Sequence, residues 1–314
     1  MRAIDVYLKT MKFVWLKLAL GAAMILFSII TLAIFMGIGS LIGGDIMTIM
    51  FFVWIVLVFG VFIWVNRYFG YMIKAGHIAM VTTAVTTGSL PENQLEAAKV
   101  MVKERFATSN VYFVVDRLVS GAVGQLQKGL QKIDSLLGGI PGVSAILAFA
   151  QMFVHIALGY IDECCLGYTF LHKDQSAFKS AADGVVIYFQ NWKKLLKDAA
   201  VTALIVMGVT FLAWLLPFLI FVGIFSALRI HWVFAFFIAL MFGAAIKSSF
   251  IDSYMMVKMM TSYMQVAPTT QITFDLYDKL CKLSSKFRNL FNKGQQEQPQ
   301  SQQPINPQMS QMQQ

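Results

Sequence analysis

LALGAAMILFSIITLAIFMGIGSLIGGDIMTIMFFVWIVLVFGVFIWV, residues 18–65, decides the fold. Two apolar runs, residues 18–42 and 46–65, are separated only by Gly43-Gly44-Asp45. At about 1.5 Å per residue, either run crosses a hydrocarbon core of roughly 30 Å as a helix. Two further runs of this kind follow at residues 202–225 and 232–251. The whole chain agrees: 58% of its 314 residues are hydrophobic and 13% charged, with mean hydropathy +0.66. A soluble domain is about 45–50% apolar. The fold class is therefore all-α, a polytopic helical membrane bundle. The first run is longer than the ~7–15 residue apolar stretch of a signal peptide and turns directly into a second span, so it is expected to be retained.

The later pair of runs repeats the order of features of the first. Trp15-Leu16-Lys17-Leu18 and Ala22-Ala23 match Trp192-Lys193-Lys194-Leu195 and Ala199-Ala200 at an offset of 192 − 15 = 177. Gly70 and Ile73-Lys74 match Gly243 and Ile246-Lys247 at 247 − 74 = 173, and Pro91 with Gln94 matches Pro268 with Gln271 at 177 again. Each unit reads as a basic amphipathic lead-in, a span, a short turn, a span, a lysine, a proline and an amphipathic helix. The expected organisation is a first hairpin unit over residues 1–105, a middle segment over 106–175, a repeated hairpin unit over 176–293, and a tail over 294–314. That tail, GQQEQPQSQQPINPQMSQMQQ, has no apolar pattern to offset chain entropy and is expected to be disordered.

Lysine and arginine account for the net charge of +9, and they flank the apolar runs. Arg2, Lys9, Lys12, Arg67, Lys74, Lys99, Lys103 and Arg105 bracket the first hairpin; Lys193, Lys194, Lys197, Lys258, Lys279, Lys282 and Lys286 bracket the second. A positive-inside distribution places both termini in the cytoplasm and makes nucleic acid an unnecessary partner. The segment between the hairpins must then leave and return on one side. Residues 140–170 are apolar enough to enter the membrane, and residues 106–124 are the best return partner despite Asp116-Arg117, where a charge at mid-membrane costs about 2.5–3.5 kcal/mol. The expectation is six spans in three hairpins; the alternative is four spans plus a re-entrant middle. If the segment lies on the surface instead, Leu118, Ala122, Leu126, Leu130, Ile133 and Leu137 still form one apolar helical face.

Residues 272–291 read as an interfacial amphipathic helix. Leu276, Leu280, Leu283, Phe287, Leu290 and Phe291 recur at helical spacing, with Lys279, Lys282, Lys286 and Arg288 around them. Such a helix lies on anionic lipid, with a protein partner or a second copy of the chain as the alternative for the same face.

The search for chemistry excludes more than it finds. There is no HExxH, GxxxxGK[ST], GxSxG or strand-borne GxGxxG. The four histidines, His77, His155, His172 and His231, fall in different segments, and Cys164, Cys165 and Cys281 form neither a CxxC pair nor a disulfide framework. No cofactor or metal is implied, and the chain does not read as an enzyme.

The densest polar run is FVHIALGYIDECCLGYTF, residues 153–170. His155 and Asp162 are seven apart, so on one helix they share a face about 10.5 Å apart along the axis, too far for one ion. Glu163, Cys164 and Cys165 point elsewhere. His155, Gly159 and Asp162 can line a polar path; equally, Asp162 can mark the aqueous end of the helix. Ser248 and Asp252 share a face at the end of the last span, while Lys247 and Asp252 lie about 140° apart on an α-helix and should not pair. Ile251-Asp252 echoes Ile161-Asp162, a hint that the middle segment is a third hairpin.

Ser180-Ala181-Ala182-Asp183, then Asn191, a basic run and a two-span hairpin ending in an acid resemble the C-terminal part of choline-transporter-like proteins over about the last 110 ordered residues before the tail. The resemblance implies membrane transport of choline or a related organic cation, with Ser180, Asp183 and Asn191 as the family-suggested positions. The chain departs from the family in its span number, in lacking a large early extracellular loop, and at Ala182, where a basic residue is usual. Tyr188, Trp192 and Trp214 are the aromatic residues that a quaternary ammonium site would draw on. The hairpin pattern equally resembles uncharacterised bacterial six-span membrane proteins, which implies a bacterial plasma membrane. Three function classes follow: a transporter or channel-like bundle using His155, Asp162, Ser248 and Asp252; a membrane scaffold or accessory subunit; and, with least in its favour, a lipid-modifying enzyme.

Overall fold

The computed structural model describes residues 1–106, 109–135, 159–229 and 231–297. All regular structure among them is helical. The elements are α1 (Ala3–Lys9), α2 (Met11–Ile42), α3 (Ile46–Val65), a π turn (Asn66–Gly70), α4 (Tyr71–Thr87), α5 (Gln94–Phe106), α6 (Ser109–Ser135), α7 (Ile161–Leu171), α8 (Ala177–Gln190), α9 (Trp192–Ala227), α10 (Trp232–Ile246), a second π turn (Lys247–Ile251), α11 (Asp252–Val266), α12 (Phe274–Leu283) and α13 (Ser285–Gln296). They form two compact units, residues 1–104 with 193–265 and residues 105–192 with 266 onward.

The first unit is the membrane bundle. Four helical runs in it are long and apolar enough to cross a membrane, beginning at Met11, Ile46, Leu204 and Trp232. Val56, Phe211 and Ile63 are 73%, 64% and 63% exposed, an apolar outer surface of the kind that a membrane covers. The first hairpin turns on Gly43 and Gly44, whose φ values of +80° and +62° suit glycine. Next to the turn, a Cβ on Gly39 would stand 2.9 Å from the Met47 backbone, so α2 and α3 touch there. Farther along, the Trp54 indole donates to the Ser28 carbonyl at 3.1 Å and pins the same pair of helices. The second hairpin closes in the same way, with Gly243 packed beneath the Trp214 ring.

Contacts between the hairpins fix their relative direction. Near the turns, Phe51 meets Phe234 and Phe237 with ring centroids 5.2 and 5.7 Å apart; at the opposite end Trp15 meets Phe250 at 5.7 Å. Both tight turns therefore lie at one end of the bundle. Between those ends α2 passes α10 at Gly21, where a Cβ would come within 2.9 Å of Ala245.

The second helix of each hairpin runs past the apolar core through a π turn. The run from Ile46 to Thr87 has 42 residues, about 63 Å at the α-helical rise and twice the hydrocarbon thickness. Its far part, α4, buries Ile78, Ala79, Met80 and Val81 completely. α1 and the start of α2 cover it: Phe13 stacks on His77 at 5.3 Å, and Thr10 Oγ1 lies 3.1 Å from His77 Nε2. Because the Thr10 hydroxyl donates to the Val6 carbonyl at 2.9 Å, the imidazole is the donor in the Thr10–His77 contact.

The second unit packs α7 on α8 and lays α13 over α6 and α8. Close approach depends on missing side chains: a Cβ on Gly184 would meet Cys165 at 3.1 Å, and one on Gly294 would meet the Lys179 backbone at 2.8 Å. Phe106 adds edge contacts to Tyr112 and Phe170 at 4.9 and 5.5 Å.

Two expectations change, and the count of six spans is not confirmed. The third hairpin is not among the described spans: α6 carries Asp116 and Arg117 and falls outside the four apolar runs, α7 has 11 residues and covers only about 16 Å, and residues 136–158 lie outside the described residues. The amphipathic segment 272–291 is two helices, because Ser284 is extended (φ −136°, ψ 114°) and caps α13 by accepting from Phe287 N. Helix α13 also continues to Gln296, beyond the expected start of the tail at residue 294.

Candidate functional site

Two regions hold the polar side chains picked out from sequence, one in each unit. The first is the exit of the fourth span. Lys247 Nζ lies 2.6 and 2.8 Å from the two Asp252 carboxylate oxygens, although an α-helix would hold these residues about 140° apart. The π turn explains the contact. Asp252 N bonds the Lys247 carbonyl, five residues back, and this i→i+5 bonding stacks the two side chains on one face. Ser248 does not join Asp252; its hydroxyl donates back to the Ala245 carbonyl at 3.3 Å.

The N-terminal segment grips this turn. Tyr7 Oη donates to the Phe250 carbonyl at 3.3 Å, Lys17 Nζ donates to Ser253 Oγ at 2.9 Å, and Tyr7 meets the Tyr254 ring edge-on at 5.4 Å. None of these contacts is legible locally, since Tyr7 and Phe250 are 243 residues apart. The only sequence signals are an aromatic and a lysine on a basic lead-in helix.

The second region is the start of α7. Gly159 and Tyr160 form a turn and α7 begins at Ile161. His155 itself lies outside the described residues. Asp162 and Glu163 occupy the first helical turn, where the macrodipole favours carboxylates. Asp162 is half-buried and accepts from Ser120 Oγ of α6 at 3.2 Å. Asp116, 6% exposed on α6, is close enough to feel it: burial first, and the Asp162 charge second, push the Asp116 carboxyl up to about 8. Cys164 and Cys165 are fully buried free thiols, raised well above the ordinary value mainly by burial.

The family-suggested residues occupy separate networks in the same unit. Ser180 donates to the His172 carbonyl at 3.0 Å and accepts from Arg105 Nη2 at 2.8 Å, while Arg105 Nη1 donates to the Gln175 carbonyl at 2.9 Å. Burial lowers that guanidinium to about 10, against the opposing pull of Asp174. Asp183 accepts from Lys179, from the Tyr277 hydroxyl and, at 3.0 Å, from Gln175 Nε2. Burial still raises its carboxyl, because desolvation outweighs the Lys179 charge. Asn191 donates to the Ile187 carbonyl and to Thr270 Oγ1, both at 2.9 Å. Tyr188 is 1% exposed, which withdraws its ring from a cation, while Gly243 packs against one side of the Trp214 ring.

The basic arm divides in two. Tyr277, Leu280, Phe287 and Leu290 are buried, with α13 packed on α6 and α8, which leaves Lys279, Lys282 and Lys286 exposed on the outside. Arg288 is partly consumed, because its guanidinium caps the end of α12 through the Cys281 carbonyl at 2.8 and 3.1 Å. Gln125 of α6, absent from the sequence candidates, fastens the arm by accepting from Ser284 Oγ at 2.7 Å and from Lys286 N at 3.1 Å.

Between α9 and α10 lies a crevice of about 210 Å³ lined by Phe211, Trp214, Phe218, Phe236 and Leu240 among others, all apolar. Among the described residues, no group of three or more His, Cys, Asp or Glu side chains comes together to hold a metal. No family model, curated protein or solved structure matches the chain.

Proposed function

We propose that the protein is a noncatalytic membrane scaffold: two lipid-embedded hairpins anchor a helical unit that presents a basic face to anionic lipid or to a protein partner. The observation that carries this reading is the fate of the polar candidates. Asp252 is paired with Lys247, Ser248 turns back on its own helix, Asp162 meets Ser120, and Asp183 and Asn191 are engaged within the second unit. The crevice between the spans offers a solute no polar group.

The exposed Lys279, Lys282 and Lys286 supply about 1 kcal/mol each toward an anionic surface when close to it. A second copy of the chain is the other partner that such a face accommodates. Duplication of an ancestral hairpin accounts for two hairpins that point the same way, each with a π turn in its second helix. The turn end of the bundle carries Arg229, whereas Lys9, Lys12, Lys17, Arg67, Lys74, Lys193, Lys194, Lys197 and Lys247 gather at the other end or lead out of it. That asymmetry favours cytoplasmic termini.

A second reading, transport, draws on the π turns, since paired interruptions in repeated hairpins recur in secondary transporters. Flux assays on the full chain in proteoliposomes separate the two. The scaffold reading expects no uptake of labelled choline and no ion leak above protein-free vesicles. Uptake or leak that the Lys247→Met or Asp252→Asn variant abolishes replaces it with transport.

A further inference from the structure

The N-terminal arm, α1 and the first turns of α2, presents two unlike faces. Its inner face is buried: Val6 and Val14 are 0% exposed, Phe13 is 2% exposed, and Thr10 is 0% exposed. From this side Tyr7 and Lys17 reach the π turn of the fourth span and the helix that follows it. Its outer face carries Ile4 and Leu8, which are 41% and 58% exposed, together with exposed Lys9 and with Lys12, whose ammonium also donates to the Glu92 carbonyl at 3.2 Å; Trp15 meets Phe250 of the π turn edge-on yet leaves 57% of its surface open. Ile4 and Leu8 are four apart and share one side of α1.

We propose that this arm is an interfacial coupling element: its outer face beds in anionic lipid headgroups, and its inner face thereby holds the π turn of the fourth span closed. Three observations converge on lipid as the occupant. The arm leads into the first span through a single turn residue, Thr10, so its outer face starts within a few turns of the hydrocarbon. Trp15 stands just before the apolar run at Leu18, where amphipathic rings favour the headgroup layer. The exposed aliphatics are accompanied by two lysines, the pairing of shallow insertion with attraction to anionic lipid.

The consequence for the fourth span follows from the linkage. Whatever stabilises the arm in place also stabilises the Tyr7–Phe250 and Lys17–Ser253 hydrogen bonds. Local opening of the π turn breaks those bonds, so lipid that binds the arm lowers the population of the open turn. The coupling is independent of whether the bundle scaffolds or transports.

Hydrogen exchange on the full chain in nanodiscs tests it, read at the amides of residues 247–254. The wild type should exchange at least about threefold more slowly in discs containing an anionic phospholipid than in purely zwitterionic discs. Lys9→Glu with Lys12→Glu, at exposed positions, should remove that difference. Tyr7→Phe should speed exchange in both discs, because it deletes the bond to Phe250 and leaves the ring in place. Equal wild-type exchange in the two lipids overturns the proposal. So does protection that follows protein concentration instead of lipid charge, the mark of a second copy on this face, or a Tyr7→Phe variant indistinguishable from wild type.

Discussion

Asp116 is where a single side chain has the clearest thermodynamic consequence. It is buried on α6, and burial with the nearby Asp162 charge raises its carboxyl to about 8. In the unfolded chain the same carboxyl titrates near its ordinary value of about 3.9. A raised acid binds its proton in the folded state at pH values where the unfolded chain has lost it. Its stabilising contribution is therefore complete below about pH 4 and is lost as pH rises through about 8. Asp116→Asn keeps the shape without the titration. The variant should melt about 3 °C or more above wild type near pH 8.5 and within about 1 °C of it near pH 4.5, in detergent thermal denaturation. Parallel pH profiles for the two proteins would show that Asp116 does not set this dependence. The neighbourhood itself is not legible in the sequence: Asp162 and Glu163 stand out in a run of apolar residues, but Ser120 and Asp116 reach Asp162 from another helix, about 40 residues earlier.

At the scale of elements, the spans are legible because hydrophobic length is a local property and needs no partner. The π turns are not. KSSFI gives no warning that five residues will occupy the turn, and a regular α-helix would have kept Lys247 and Asp252 apart. The break at Ser284 is hidden for a related reason, since the apolar spacing of α12 and α13 continues through it and only the Ser284 cap and Gln125 mark the discontinuity. Helix crossings depend on glycine at a few contacts. A Cβ at Gly243 would stand 2.7 Å from the Trp214 ring, and the Ala213 carbonyl is 3.1 Å away on the same side. Gly243→Ala should therefore cost about 1–3 kcal/mol by overpacking. Trp214→Leu frees the space, so the double variant should recover at least half of the loss attributable to Gly243→Ala in the Trp214→Leu background. A penalty for Gly243→Ala that is identical with Trp or Leu at position 214 would place the strain elsewhere.

For the whole molecule, the direction of the chain through the membrane follows from contacts inside the bundle. Phe51 touches Phe234 and Phe237 at the end where both hairpins turn, and Trp15 touches Phe250 where they begin and finish. With two hairpins oriented alike, the segment leading out of the first and the segment leading into the second emerge on one face, and lysine and arginine concentrate on that face. Labelling a single introduced cysteine with a membrane-impermeant maleimide on intact cells tests this directly. The background needs only Cys281→Ser, because Cys164 and Cys165 are fully buried and Cys281 is partly open. Asp45→Cys and Leu228→Cys, at the two tight turns, should label from outside without permeabilisation. Gln175→Cys, in the connection before α8, should label only after the membrane is opened. If Gln175→Cys labels from outside while Asp45→Cys is protected, the bundle is inverted. If position 45 labels from outside and position 228 only after opening, the hairpins do not share an orientation in the membrane and the duplication of equal units fails with it.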